Sequence, residues 1–518
     1  CGRGIRFAFH VRGPVSTGTV RKADGAGGTD RPHERPKSAP GRAACMEEAM
    51  DVEIPYYHRS VDWDRLMADY PPPPHYHRTF GKFSEGQMRE LQNRRFMERM
   101  AEAWELPFYR KRWSAVGLEP GDIRSLDDIE RIPSFTSDDL KKAIEEAAPF
   151  GNHHPLGRSD LGRMPIKIQT SGGTTGMPRP TLFDPISMEV QGIQTARGFH
   201  SQGARPGDVI QIAGTLSLAN AGWTAYTAAF NWLGCSPLTT GSGRVTPSER
   251  QLELAAAFGT NGWYIIGDYL GRLAQVAADM NFDLHQLPTK YIFTFLGPDA
   301  ESGMRGKLEE AWGAPVYDNY GSHEIGLVAF ECASKTRHIN EDTVYLEICD
   351  ENDGRALPDG EIGNVVATSL YRSIPPFIRY NLRDRMALSP HEACACGLCT
   401  RRLSAMMGRA DEMIKLRGTN IYPLACQTAV RADARTSGEY ICVVYYKGED
   451  IGRQEEMTIR VERRSTDVDG GELAEDLRRA FFNDLGARVD VEIVDPGALA
   501  DQTGIGEKPR RLLDLRRR

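Results

Sequence analysis

The sequence predicts an α/β fold with substantial parallel sheet in a large N-terminal region, followed by a small α+β unit. Between residues 165 and 410 short β-rich runs alternate with helical patterns, and that alternation builds a sheet covered by helices. After residue 411 the pattern changes to long β-rich runs around a single helix. The length of 518 residues, with 40% hydrophobic and 26% charged side chains, is ordinary globular composition with room for more than one domain.

Residues 86–104 carry mixed charge and periodic apolar positions and are expected to be helical. Between Leu106 and Pro133, helices broken by Pro and Gly turns are expected. Val209–Ile212, Trp263–Ile266, Tyr291–Phe295 and Val365–Ala367 read as strands, and Glu249–Ala257, Leu270–Ala278 and Gly303–Trp312 as helices. In the C-terminal unit, residues 439–446, 456–462 and Val489–Ile493 read as strands and 471–484 as a helix. No repeat at solenoid periods is present.

Residues 1–45 differ from the rest. They are rich in Gly, Pro and Arg and carry a net charge of +6 within a chain whose total is −7. They are expected to form a disordered extension ahead of Met46, with an Arg-rich organelle transit peptide as the alternative; a secretory h-region is absent from them. The chain has no apolar run of about 18 residues, so no membrane partner is expected. Its negative charge gives no reason to expect nucleic acid. The expected compartment is cytoplasmic, where ten cysteines stay reduced or bind metal.

The strongest local signal is Gln169-Thr170-Ser171-Gly172-Gly173-Thr174-Thr175-Gly176-Met177-Pro178-Arg179. Its glycines let backbone approach a bulky anion, its hydroxyls supply donors, and successive N–H groups of such a loop form a nest for phosphate oxygens. It follows a β-rich run and lacks the Gly-Lys-Ser/Thr ending of a kinase-type loop. A flexible surface loop is the alternative.

Four further motifs follow in order. In Tyr317-Asp318-Asn319-Tyr320-Gly321-Ser322-His323-Glu324, an aromatic ring can stack on a purine and Glu324 offers a hard oxygen ligand to Mg²⁺. The alternative there is a strand and turn with an exposed carboxylate. Arg379-Tyr380-Asn381-Leu382-Arg383-Asp384 ends in an acid suited to ribose hydroxyls. Gly408-Arg409-Ala410-Asp411-Glu412-Met413-Ile414-Lys415-Leu416-Arg417-Gly418 comes next, and Gly506-Glu507-Lys508-Pro509-Arg510-Arg511 lies near the C-terminus. A lysine on a basic tail is, in isolation, a solvated charge.

The order and spacing of these motifs resemble the acyl-adenylate-forming superfamily, and more closely its phenylacetate–CoA ligase family. The finer likeness rests on Leu106-Pro107-Phe108-Tyr109-Arg110, Leu126-Asp127-Asp128-Ile129, Glu331-Cys332, His338-Ile339-Asn340-Glu341-Asp342 and the succession Lys508, Arg511, Asp514, Arg516. It spans roughly residues 85–518.

The resemblance implies a large multi-sheet adenylation domain over 46–410 and a small mobile lid over 411–518, with Asp411 as hinge. It implies that Thr170, Ser171, Gly172, Gly173, Thr174, Thr175 and Gly176 cradle the ATP phosphates and that Gly297, Pro298 and Asp299 frame the adenine. Asp318, Asn319, Tyr320, Gly321 and His323 would line nucleotide and acyl groups, with Glu324 at Mg²⁺ and Asp384 and Arg409 at the ribose. Lys508 would contact carboxylate and α-phosphate during adenylation, and Gly418 would border the thiol tunnel after lid rotation. The implied partners are a carboxylic acid, ATP and CoA.

Three positions depart from the family pattern. Gly172-Gly173 doubles a glycine, His323 replaces a hydroxyl residue, and Glu507 stands where a glycine precedes the lysine. Cys332, His338, Cys394 and Cys396 form a candidate Cys₃His site for structural Zn²⁺, with Cys399 in reserve; separate reduced cysteines are the alternative. Residues 214–223 with Trp263 and Tyr264 fall where the family shapes its acyl pocket, and they suit a flat aryl acid or ordinary core. The function expected is an ATP-dependent acid–CoA ligase. The alternatives are an adenylyltransferase that needs no CoA and a non-catalytic nucleotide binder, the latter disfavoured by retention of Lys508, Glu324 and Asp384.

Overall fold

Val209–Ile212, Gly262–Tyr264 and Tyr291–Thr294 are short runs rich in β-branched and aromatic residues, almost wholly buried. In the computed structural model they pair in parallel with one another, with Ser236–Leu238 on one side and Val316–Ser322 on the other. The structure describes residues 57–516 except 163, 172–178, 298–299, 301–302, 410–413, 417–418, 448–453, 486 and 504–509. The expected disordered extension 1–45 lies outside the described residues.

The parallel strands are half of a larger mixed sheet. Beyond Val316–Ser322 the chain turns straight back into Gly326–Glu331, then Arg337–Ile339, and Arg402–Leu403 and Leu388–Ser389 complete the edge, all antiparallel. A turn of three residues leaves no room for the crossover that parallel pairing requires. The sequence expectation of parallel sheet therefore holds on one side of Val316–Ser322 only. Helices Ser248–Phe258, Gly267–Asp279 and Gly303–Trp312 pack against the parallel half through Leu252, Leu270, Leu273, Leu308 and Trp312.

A second, antiparallel sheet joins Val344–Cys349, Gly363–Ser369 and Tyr380–Met386. Against it lies the helix Glu85–Trp104, where 86–104 was expected. The Ser84 hydroxyl accepts from the Gln87 N–H while the Gln87 side chain accepts from the Ser84 N–H, a capping box that fixes the helix start. Its buried face carries Met88, Leu91, Phe96 and Met100. A hairpin of Lys167–Ser171 and Arg179–Phe183 flanks the segment 172–178.

The C-terminal region has its own core. Thr436–Lys447 and Gln454–Arg463 form a long antiparallel pair, edged by Asp490–Val494 and Leu512–Asp514 in parallel. Helix Gly470–Leu485 buries Leu473, Leu477 and Phe481 among Tyr440, Cys442, Met457 and Ile459. This is the α+β unit that the pattern after residue 411 predicts. Among the described residues, no helix is long and apolar enough to cross a membrane.

Candidate active site

Glu324 sits in the tight turn between Val316–Ser322 and Gly326–Glu331. The alternative of an exposed carboxylate does not apply, because Glu324 is only 4% exposed. Arg179, at the start of the strand after the phosphate-loop motif, forms an ion pair with its Oε1, and the Tyr380 hydroxyl donates to the same oxygen at 3.4 Å. Burial alone would raise the carboxyl, but Arg179 and then His323 outweigh it and hold its pKa below the ordinary glutamate value. The turn is pinned from behind by Arg372. That guanidinium is fully buried and donates to the carbonyls of Glu324, Leu182 and Ile374.

His323, beside Glu324, meets Phe183 edge-on with ring centroids 5.7 Å apart. Its Nε2 is buried without a partner among the described residues. Burial pushes the imidazole pKa down to about 4, so the ring is neutral at pH 7.

Asp384 lies on strand Tyr380–Met386. It accepts from the Tyr320 hydroxyl at 2.7 Å and from Arg409 Nη1 at 2.6 Å. Backbone pairing holds Arg409 there, since Asp384 and Arg409 form an antiparallel bridge and the Arg385 N–H donates to the Gly408 carbonyl. Two hydrogen-bonded groups thus join residues from four separate motifs: Arg179, Glu324 and Tyr380 in one, and Tyr320, Asp384 and Arg409 in the other.

Other expected site residues are used by the fold itself. The Asp318 carboxylate accepts from the Leu296 N–H and from Arg337, each at 2.6 Å, and belongs to a buried cluster with Glu331 and Arg305. Asn319 donates to the carbonyls of Thr294 and Tyr317 and accepts from Gln202. Both side chains are buried, so neither is free to line a nucleotide. Gly321 is required by a neighbouring strand, because a Cβ there would lie 2.5 Å from the Gly326 carbonyl oxygen. Gly297 follows the strand Tyr291–Thr294 with φ 61°, the left-handed region glycine tolerates.

Thr170 and Ser171 end the first strand of the hairpin, and the Thr170 N–H donates to the Leu218 carbonyl. Gln169 reaches the carbonyls of Ser217 and Ala219. The segment 214–223 is thereby clipped alongside the strand that leads into the phosphate-loop motif. Gly172, Gly173, Thr174, Thr175, Gly176, Pro298, Asp299, Asp411, Gly418 and Lys508 lie outside the described residues. Arg179, Arg372 and Tyr380 were not singled out as site residues. Arg179 and Tyr380 stand inside quoted motifs, whereas Arg372 carries no sequence signal.

The four predicted metal ligands converge. The ligand atoms of Cys332, His338, Cys394 and Cys396 all lie within 4.8 Å of one another. Cys332 Sγ is 3.9 Å from Cys394 Sγ, and Cys396 Sγ is 3.3 Å from His338 Nε2. Those separations match the edges of a tetrahedron with Zn–S of about 2.3 Å. His338 Nδ1 contacts the Thr400 hydroxyl at 2.9 Å, which orients the ring with Nε2 inward. Cys399 is not among the four; its carbonyl instead contacts His391.

The order of motifs and the geometry that gathers them define an acyl-adenylate-forming enzyme. A family model for the AMP-binding enzyme C-terminal domain matches residues 418–516. The phenylacetate-coenzyme A ligase of Aromatoleum evansii is 28% identical over 447 residues, 84% of this chain and 96% of that relative. A crystal structure of 2-hydroxyisobutyryl-CoA ligase in the postadenylation state is 25% identical, with a TM-score of 0.75, over 86% of this chain and 94% of that one. The same enzyme in the thioesterification state gives 0.63 at 26% identity, over 86% and 94%. Along most of its length the chain is similar to the phenylacetate–CoA ligase family.

Proposed function

We propose that this chain is an ATP-dependent acid–CoA ligase acting on an aryl or arylacetic acid. The carboxylate attacks the α-phosphorus of ATP and releases pyrophosphate; the CoA thiol then attacks the acyl carbon and releases AMP. The observation that carries this reading is the meeting of Arg179 with Glu324, and of Tyr320 and Arg409 with Asp384, which brings residues from four motifs into two polar groups. Near-complete coverage of the Aromatoleum relative supports it.

The chemistry needs cations and donors where two anions meet. Asp384 faces the ribose hydroxyls, with Arg409 and Tyr320 fixing its oxygens. The segment from Thr170 to Gly176 surrounds the phosphates, and Arg179 at its end adds positive charge. Glu324, a buried hard-oxygen donor, suits the Mg²⁺ that accompanies ATP; bound there, that ion would offset phosphate charge. Lys508 meets the reacting carboxylate during adenylation. Rotation of 411–518 about Asp411 then withdraws Lys508 and brings Gly418 to the thiol path. The higher TM-score against the postadenylation form than against the thioesterification form is consistent with such a lid.

Cys332, His338, Cys394 and Cys396 would hold a structural Zn²⁺, since four protein ligands leave no open position for catalysis. Thiolate ligands fit a reducing, cytoplasmic compartment.

ATP–pyrophosphate exchange across a panel of carboxylic acids, followed by AMP release with and without CoA, tests the reading. Exchange with aryl acids and CoA-dependent AMP release are expected. AMP transfer that ignores CoA would move the assignment to an adenylyltransferase. Full exchange by a Lys508→Ala protein would remove the role given to Lys508.

A further inference from the structure

Lys167 opens the strand that leads into the phosphate-loop motif, and it is a lysine in an unusual position. It is partly buried, and no carboxylate contacts it among the described residues. Its Nζ donates to Asn220 Oδ1 at 3.1 Å and lies 4.9 Å from the centre of the Trp223 ring. Burial without a countercharge pushes its pKa down to about 7.

A chain of buried hydrogen bonds sets the ammonium in place. Asn220 points Oδ1 at Lys167 because its Nδ2 donates to Gln191 Oε1. Gln191 Nε2 donates to the Tyr371 hydroxyl at 2.8 Å, and that hydroxyl donates to the Ile325 carbonyl at 2.9 Å. Ile325 follows Glu324 directly. The position of Lys167 is therefore tied to the turn that carries Glu324, and His323, in the same turn, lies close enough for the Lys167 charge to act on its imidazole.

An ammonium has three donors, and among the described residues one of them meets an acceptor. Burying a charge is costly unless it is paired and hydrogen-bonded, so the arrangement is suited to an acceptor that arrives from outside. Trp223 and Leu218 stay partly exposed on the adjoining segment, Leu218 at 57%. Flat apolar surface thus lies beside a preset cation.

We propose that Lys167 is a specificity-determining residue that receives a second, hydrogen-bond-accepting or anionic group on the acyl part of the acid, with Asn220 setting the ammonium and Trp223 forming the neighbouring wall. This rests on the acid–CoA ligase reading and narrows its substrate class to acids with such a substituent. Lys167 takes no part in the reacting centre; it decides which acid settles there.

The test compares phenylacetate with phenylacetates bearing one hydroxyl or one carboxylate at each ring position, by ATP–pyrophosphate exchange and by the shift in melting temperature on adding acid alone. In the wild type, at least one substituted acid has a KM tenfold or more below that of phenylacetate. In Lys167→Met the ratio collapses below two and the melting shift for that acid is lost, while the KM for ATP moves less than twofold. Asn220→Asp keeps the lysine but places an internal carboxylate against it, and the same collapse is expected. The inference alone is overturned if the wild type activates acids but the ratio is unchanged in both variants, or if the KM for ATP rises together with that for every acid. Should no acid support exchange in the wild type, the ligase reading falls first and the inference with it.

Discussion

Arg179 and the buried Glu324 form a largely desolvated ion pair in which each partner compensates the desolvation of the other. Removing one partner of such a pair leaves an unpaired buried charge and costs about 3–5 kcal/mol. Arg179→Met is therefore expected to lower the melting temperature clearly and to raise the pKa of Glu324 toward and beyond its ordinary value. Calorimetry checks the first outcome; an exchange rate in the variant that falls as pH drops into the range where Glu324 now titrates checks the second. A variant with wild-type melting and an unchanged pH profile would show that the pair matters to neither fold nor site. Asp318 teaches a different lesson at the same scale. It stands in a nucleotide-site motif, but both carboxylate oxygens are bound by the fold, at Leu296 and Arg337.

At the scale of elements, the hairpin Val316–Ser322 to Gly326–Glu331 is what turns Glu324 inward. Gly321→Ala puts a methyl group 2.5 Å from the Gly326 carbonyl oxygen, and backbone has to move to relieve it. Overpacking of this kind costs roughly 1–3 kcal/mol, so a lowered melting temperature is expected, with loss of exchange activity as the turn shifts. Crystals or solution spectra of the variant that showed an unmoved turn would refute this. The Cys/His cluster ties the loop around Cys332 to the segment holding Cys394 and Cys396. About one zinc per chain is expected by elemental analysis, falling in Cys396→Ser, with a lower melting temperature after chelation. Metal-free protein of unchanged melting temperature would return these residues to ordinary reduced cysteines. The helix, strands and turns were legible because their signals are local: the periodicity of 86–104, the apolar runs of the parallel strands, and the composition of Gly303–Trp312, whose bounds the structure reproduces.

For the whole molecule, stability in acid follows from buried imidazoles. Burial lowers the pKa of His153 to about 3 and of His323 to about 4, and pushes His154 well below its ordinary value of 6.5. Below pH 6.5 the unfolded chain takes up protons at these sites and the folded chain does not, so stability is full above that pH and falls as pH drops toward 4. Each such group contributes a slope of up to about 1.4 kcal/mol per pH unit in that window. A melting temperature that declines from pH 6.5 to 4.5, less steeply in His323→Ser, is the expected result; a flat profile would contradict it.

By itself the sequence determined the succession of motifs, the α/β region followed by an α+β unit, and the residue types available for phosphate, ribose, carboxylate and metal. These are properties of local spacing and of chemistry carried by each side chain. Only the tertiary structure decided which groups meet. It made the sheet half antiparallel, because three residues after Ser322 suffice to reverse the chain. It also buried Glu324 against Arg179, enlisted Arg372 without any motif, withdrew Asp318 and Asn319 into the core, and left Lys167 facing Trp223 with no acid beside it among the described residues. Those outcomes depend on contacts between residues far apart in the chain, where burial and electrostatic pairing, rather than spacing, set the role of each charge.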